Sequence, residues 1–230
     1  KISWGGNIQY SDYFNNTSDL YNQAEYITKF NFYKYGLFGN ISKRIFENKL
    51  DVSIGIRSDE DTFSSGSKLT NNLSPRLSTS LSISKDRRLK WNSSLGTYYK
   101  IPVYTVLGFK NNLGEFANQD AQYTKSNHFV TGFDYALGNA SKISVEGFLK
   151  KYDQFPISLV DGVSLANKGA DFEVLGNENI ITEGKGKTRG LEFLFQQKLT
   201  NNFYGIFSYT YFKSEFTGIN GNYLPSVWDS

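Results

Sequence analysis

Apolar residues recur at every second position through most of this chain. Leu191, Phe193 and Phe195 alternate with Glu192 and Gln196. Thr200-Asn201-Asn202 then turns the chain, and Phe203, Gly205, Phe207, Tyr209 and Tyr211 resume the alternation. Period two interrupted by a short polar turn is the pattern of an antiparallel hairpin. The same reading predicts nine strands, near residues 2–11, 28–43, 49–59, 73–84, 89–102, 123–138, 141–155, 185–199 and 203–217. No helical 3–4 spacing persists for three turns, so the fold class is all-β. Many runs are about 10 to 14 residues long, whereas soluble strands average about 5 to 6. A tilted strand of about 9 to 11 residues crosses a bilayer.

The connections alternate in length. Short turns fall at Phe46-Glu47-Asn48, Lys85-Asp86-Arg87-Arg88, Gly138-Asn139-Ala140 and Thr200-Asn201-Asn202. Long loops are predicted near 12–27, 60–72, 103–122 and 156–184, with another starting at Thr217. Tight turns at one end and long loops at the other describe an up-and-down outer-membrane barrel.

The two faces differ in charge. One carries Leu37, Ile41, Ile54, Ile56, Leu77, Trp91, Leu95, Phe129, Phe133, Val145, Leu149, Leu191 and Phe207 among 38 positions, none of them charged. At the chain's 20% charged content, chance would place about seven or eight charges there. The other face carries Asp51, Ser78, Ser80, Lys90, Asn92, Lys100, Asp134, Lys142, Glu146 and Glu192. A soluble sandwich also hides one face and wets the other. Strand length, loop alternation and rings near strand ends favour the bilayer. Phe46, Trp91 and Phe203 lie near the short turns and Tyr99, Tyr211 and Phe216 toward the loops, as interfacial girdles require.

Composition narrows the chemistry. The 230 residues include Tyr 16 and Phe 19 but no Cys and no Met, so disulfides and thiolate chemistry are absent. A formal charge of +3 without a basic run gives no argument for nucleic acid. No apolar run is long enough for a transmembrane helix, and low mean hydropathy is compatible with a barrel whose faces alternate.

No catalytic site is predicted. His128 is the sole histidine and reads as a residue of the wet face. Gly184-Lys185-Gly186-Lys187-Thr188 lacks the earlier glycine of a phosphate loop and precedes a strand. Asp59-Glu60-Asp61 reads as a hydrated acidic loop rather than a Ca²⁺ site, as do Asp171, Glu173, Glu178 and Glu183. No metal and no cofactor is expected. The candidate ligand contacts are Tyr98, Lys100, Tyr104, Phe109, Lys110 and Phe116, because rings with a few polar groups at a barrel mouth suit a small ligand. Their competing reading is loop packing or interfacial girdle.

Several stretches resemble a TonB-dependent outer-membrane receptor, in the C-terminal part of its barrel. They are Asn72-Leu73-Ser74-Pro75-Arg76-Leu77, Leu95-Gly96-Thr97-Tyr98-Tyr99-Lys100-Ile101-Pro102, Tyr123 to Tyr135, Phe148 to Pro156, Thr188-Arg189-Gly190-Leu191-Glu192, Phe207-Ser208-Tyr209-Thr210-Tyr211 and Leu224 to Ser230. The resemblance rests on their order over residues 70–230. It implies that residues 1–230 are part of a single barrel domain, about nine strands of a larger barrel of about 22, without the plug domain and terminal strands. It implies a bacterial outer-membrane location and import of a large scarce nutrient, a metal chelate or an oligosaccharide, with energy from TonB. The implied partners are outer-membrane lipid, the plug of the same full-length protein, TonB and the ligand. A plugless diffusion porin, or a soluble β-rich adhesin or glycan-binding module, are the competing readings.

Overall fold

The computed structural model describes residues 1–19, 24–168, 176–200 and 202–229. Ten strands form one antiparallel sheet in strict sequence order, each paired with the next. They are β1 (Ile2–Asp19), β2 (Ala24–Ile45), β3 (Leu50–Asp61), β4 (Ser74–Ser82), β5 (Leu89–Lys100), β6 (Thr124–Ala136), β7 (Ser141–Ser158), β8 (Ile180–Thr200), β9 (Phe203–Thr217) and β10 (Tyr223–Pro225). A four-residue helix, α1 (Tyr104–Leu107), follows Pro102 in the loop between β5 and β6.

Register aligns the apolar positions into continuous rows, because residues directly opposite each other share a face. One row runs Ile2, Ile41, Ile54, Leu77, Leu95, Phe129 and Leu149 across seven strands. Another joins Trp91, Phe133, Val145, Phe193 and Tyr209. No second layer covers these rows among the described residues. Trp4 is 83% exposed, Leu191 62% and Ile54 60%. Water would make such a face an aggregation hazard, whereas hydrocarbon makes it the expected surface.

The buried residues lie at the loop end instead. Phe30, Phe32, Ile101, Val106, Leu107, Ala121, Tyr123, Leu165 and Ile180 form one cluster, against which Tyr13, Phe63, Tyr104, Phe116 and Phe155 pack. The sheet therefore has no core of its own between layers. Its buried packing belongs to the loops folded onto its inner face.

Four corrections to the sequence reading follow. The described residues form ten strands rather than nine, since Tyr223–Pro225 pairs with Glu215–Thr217 inside the expected last loop. The loop expected at 12–27 is mostly strand. Ser11–Asp19 pairs with Ala24–Phe32 as the outer half of the β1–β2 hairpin. Its polar residues signalled a loop, but a hairpin projecting beyond hydrocarbon needs no uncharged face. Strands β7 and β8 likewise extend to Ser158 and back to Ile180, into the loop expected at 156–184. Finally, Phe216 is buried on the inner face, with ring centroids 4.5 Å from Phe155 and 5.2 Å from Tyr152, so it is not part of a girdle.

The short turns are stereochemically demanding. Phe46, Glu47 and Asn48 all have positive φ (52°, 55° and 64°), as do Arg87 and Asn202. Gln154 (φ 58°) marks the bulge where β7 shifts register against β8, between Tyr152 and Phe155.

Candidate functional site

The face opposite the apolar rows is polar and encloses a concavity of about 770 Å³. Arg44, Asp51, Ser53, Ser80, Asn92 and Glu146 are among its lining residues. Short side chains dominate this wall and bond to one another across strands. Ser53 Oγ donates to Asn40 Oδ1 at 2.8 Å and lies 3.0 Å from Ser42 Oγ. Arg44 meets Asp51 at 2.8 Å, and Asp134 accepts from Ser144 at 2.7 Å and pairs with Lys142 at 2.9 Å. Such a wall offers many hydrogen-bonding groups to whatever fills the space beside it.

Above this concavity a band of cations and rings crosses the inner face. Arg76, Gly96, His128 and Lys150 stand directly opposite one another on β4, β5, β6 and β7. Gly96 leaves room for the Tyr98 ring, since a Cβ there would lie 3.1 Å from Tyr98 Cε2. The ring sits beneath the Arg76 guanidinium (4.4 Å) and beside the His128 imidazole (4.6 Å). His128 Nε2 is also 2.5 Å from Ser126 Oγ. The lone histidine is therefore on the wet face, as its position in the alternation predicted. Lys100 continues along the same face of β5 toward the loops and is exposed.

The remaining candidate contacts sit elsewhere, within the packed mouth. Tyr104 packs edge-on against Tyr13 and Phe32. Phe116 packs edge-on against Phe30 and Phe63, and Lys110 Nζ lies 4.9 Å over the Phe116 ring. Phe109 stacks on Tyr26, whose hydroxyl donates to Gly108 O and accepts from Lys110 N–H, both at 2.8 Å. The six candidates thus divide in two. Tyr98 and Lys100 are on the open inner wall, whereas Tyr104, Phe109, Lys110 and Phe116 hold the loop down.

Two arrangements were invisible in the sequence. Asn118, fully buried, donates to Val106 O and Glu178 O, both at 2.8 Å, and accepts from Ile180 N–H at 3.1 Å. One amide thereby ties the β5–β6 loop to the start of β8. Asp61, also buried, accepts four hydrogen bonds, from Phe63 N–H (2.8 Å), Ser64 N–H (2.7 Å), Ser64 Oγ (2.6 Å) and Tyr123 Oη (2.9 Å). Burial first, then the Asp61 charge, pushes the Tyr123 phenol far above its ordinary pKa, so it remains a donor.

The expected hydrated acidic loop at Asp59-Glu60-Asp61 is therefore corrected. These residues end strand β3, which sends Glu60 to the opposite face from its neighbours. Arg57 grips Asp59 at 2.6 Å, and Glu60 accepts the Leu69 N–H at 3.0 Å. Glu178 is engaged rather than hydrated, by Lys168 at 2.7 Å and by the Ser158 hydroxyl. Glu183 is exposed on β8, while Asp171 and Glu173 lie outside the described residues. Among the described residues no group of three or more His, Cys, Asp or Glu side chains is arranged to hold a metal ion.

Comparison with known proteins agrees with this architecture. The family described as TonB dependent receptor-like, beta-barrel matches residues 2–227. The outer membrane transporter YddB from Escherichia coli superposes with a TM-score of 0.60 at 16% identity, over 98% of this chain and 32% of that one. The FrpB iron transporter from Neisseria meningitidis gives 0.61 at 12%, over 96% and 34%. The alcaligin outer membrane receptor FauA from Bordetella pertussis gives 0.54 at 12%, over 98% and 42%. At these identities the likeness shows the fold alone, and the chain spans between about a third and two fifths of the length of these structures. No curated protein matches the sequence. With the family matched across nearly its whole length, its apolar rows bare and its opposite face wet, this chain belongs to the β-barrel of the TonB-dependent receptors, a non-catalytic class of the bacterial outer membrane.

Proposed function

We propose that this chain supplies wall, external loops and part of the ligand mouth of an outer-membrane active-transport receptor. The complete protein would be a barrel of about 22 strands around a plug. It would capture a scarce, large nutrient, a metal chelate or an oligosaccharide, and import it with energy relayed by TonB. The carrying observation is the broad polar inner wall beneath loops packed into one cluster. A wall of serine and asparagine hydroxyls and amides suits a replaceable protein partner such as a plug, which must bind and yet be displaced. The edges of β1 and β10 would pair with the remaining strands, since lipid tolerates no open sheet edge.

Within this reading Tyr98 and Lys100 are the ligand contacts, joined by Arg76, His128 and Lys150 of the same band. Tyr104, Phe109, Lys110 and Phe116 set the shape of the mouth. The matched proteins include an iron transporter and a copper transporter, which supports the metal-chelate class over the oligosaccharide.

Accumulation of labelled ferric chelates and oligosaccharides in cells carrying the full-length protein, with and without functional TonB, tests the proposal. TonB-dependent accumulation that falls on Tyr98→Ala and Lys100→Ala supports it. Passive, TonB-independent permeation to solutes of many kinds would instead identify a diffusion porin.

A further inference from the structure

The outer face carries a cluster of positive charge at the loop-side edge of its apolar rows. On β7, β8 and β9 the apolar rows end at Leu149, Leu191 and Tyr211. The next outward-facing positions toward the loops are Lys151, Lys187, Arg189 and Lys213. Register sets Lys151 directly opposite Lys187, and Arg189 directly opposite Lys213. Like charges facing each other across neighbouring strands repel. Glu215 is the one carboxylate among them, 3.2 Å from Lys187 Nζ and 3.7 Å from Lys213 Nζ. Farther along, Lys125 faces Asp153 and is balanced. The imbalance is thus local, and it breaks the pairing rule twice in adjacent rows.

A groove of about 510 Å³ runs down the outer face from the same place. Arg189 and Lys213 are at its upper end, and Phe129, Leu149, Leu191 and Tyr211 line it below. Gly147 opens its floor, where an added Cβ would only reach ordinary contact with Leu191 Cδ2 at 3.5 Å. Arg189 and Lys213 are both exposed. An apolar groove headed by guanidinium and ammonium groups has the form of one lipid: an acyl chain below and an anionic headgroup above. Because the cluster lies on the long-loop side of the apolar rows, it faces the outer leaflet.

We infer that this groove binds one phosphorylated glycolipid of the outer leaflet. An acyl chain lies along Phe129, Leu149, Leu191 and Tyr211, and a phosphate is held by Arg189 and Lys213 with Lys187 and Lys151 beside it. Planar guanidinium recognises phosphate oxygens in a bidentate manner, and the ammonium groups act as point charges. The bound anion also removes the two like-charge repulsions. The inference rests on the outer-membrane placement and loops-out orientation but not on any transported ligand.

The test uses the full-length protein purified in mild detergent, with native mass spectrometry and titration against bisphosphorylated lipid A, its dephosphorylated form and phosphatidylglycerol. The wild type should prefer the bisphosphorylated form by at least about tenfold. The double variants Arg189→Gln/Lys213→Gln and Lys151→Gln/Lys187→Gln should each reduce that preference, with nutrient accumulation unchanged. Equal affinity for the dephosphorylated lipid, equally tight binding of phosphatidylglycerol, or an unaltered preference in both variants overturns the inference. The wild-type comparison requires no variant, so poor folding of a substitution cannot obscure the outcome.

Discussion

Asn118 and Ile180 are joined across the mouth by a hydrogen bond, Ile180 N–H to Asn118 Oδ1 at 3.1 Å, while the same amide donates to Val106 O and Glu178 O. Val106 O also accepts from the Phe109 N–H at 3.3 Å, but the Ile180 N–H and Glu178 O make these bonds with a side chain that has no accessible surface. Asn118→Ala leaves each to find another partner, at about 1 to 3 kcal/mol for a buried group left unsatisfied. Amide exchange at Ile180 and around α1 should accelerate markedly in this variant while the turn-end strands keep their protection. Unchanged exchange at Ile180 would contradict the clamp.

Asp61 offers a second test at the same end. Asp61→Leu strands four neutral donors and should cost more than about 3 kcal/mol, at about 1 to 3 kcal/mol for each buried group left unsatisfied. Tyr123→Phe removes one donor of the four and should cost about 1.5 to 3 kcal/mol. Denaturant titration of the refolded full-length barrel, followed by loop proteolysis, checks both. The order of the two losses is the prediction, and its reversal would refute the hub.

Much of the sheet was legible because alternation and uncharged rows are local signals. Ile54, Leu77, Leu95 and Phe129 were assigned to one face from spacing, and register joins them in one row. What escaped was tertiary. Nothing about Asn118 distinguishes it from Asn111 or Asn112 until the loop folds over β8. The acids Asp59, Glu60 and Asp61 looked hydrated because three consecutive charges usually are, yet strand geometry separates them. Asn15-Asn16-Thr17-Ser18 looked like loop because polarity alone cannot distinguish a turn from a hairpin standing clear of the membrane. Of the candidate site, Tyr98 and Lys100 were named as neighbours of a loop at the barrel mouth, but Arg76 was not among the candidates. Its meeting with Tyr98 depends on the gap at Gly96, a cross-strand feature.

Neighbouring residues of β4 should respond oppositely to the same charge. Leu77 belongs to the bare apolar rows and Ser78 to the wet concavity. Leu77→Lys places an ammonium in hydrocarbon and should cost about 2 to 4 kcal/mol near mid-depth. Ser78→Lys should cost well under half as much. Reversible folding into lipid vesicles measures both. Equal costs would remove the distinction between the faces.

The loop between β7 and β8 should be insensitive to pH over a wide range. At Asp161 burial opposes ionisation, but the Val163 N–H and the Lys168 ammonium prevail and hold the carboxyl below its usual range. Burial likewise opposes the charge on Lys168, and Glu178, then Asp161, hold its pKa above the ordinary value. A lowered carboxyl contributes stability that is present above its unfolded pKa, about 3.9, and lost as pH falls through the folded one. A raised lysine contributes below about 10.4 and loses it as pH rises through its folded value. Protection of the Val163 amide, corrected for intrinsic exchange, should therefore stay level from about pH 5 to pH 9. A decline inside that window would contradict these ion pairs.

The central claim is that hydrocarbon covers the apolar rows, and these 230 residues hold no cysteine of their own to compete with introduced labels. Single cysteines at consecutive positions from Gly96 to Trp91 and from His128 to Phe133, spin-labelled in the full-length protein in bilayers, report collisions with oxygen and with a water-soluble nickel complex. The account predicts period-two accessibility, with oxygen dominant at Leu95, Trp91, Phe129 and Phe133 and low oxygen access at Ser94, Asn92, Val130 and Gly132, which face the lumen. Nickel access at both sets, or protection of Leu95 and Phe129 from both probes by packed protein, would contradict it.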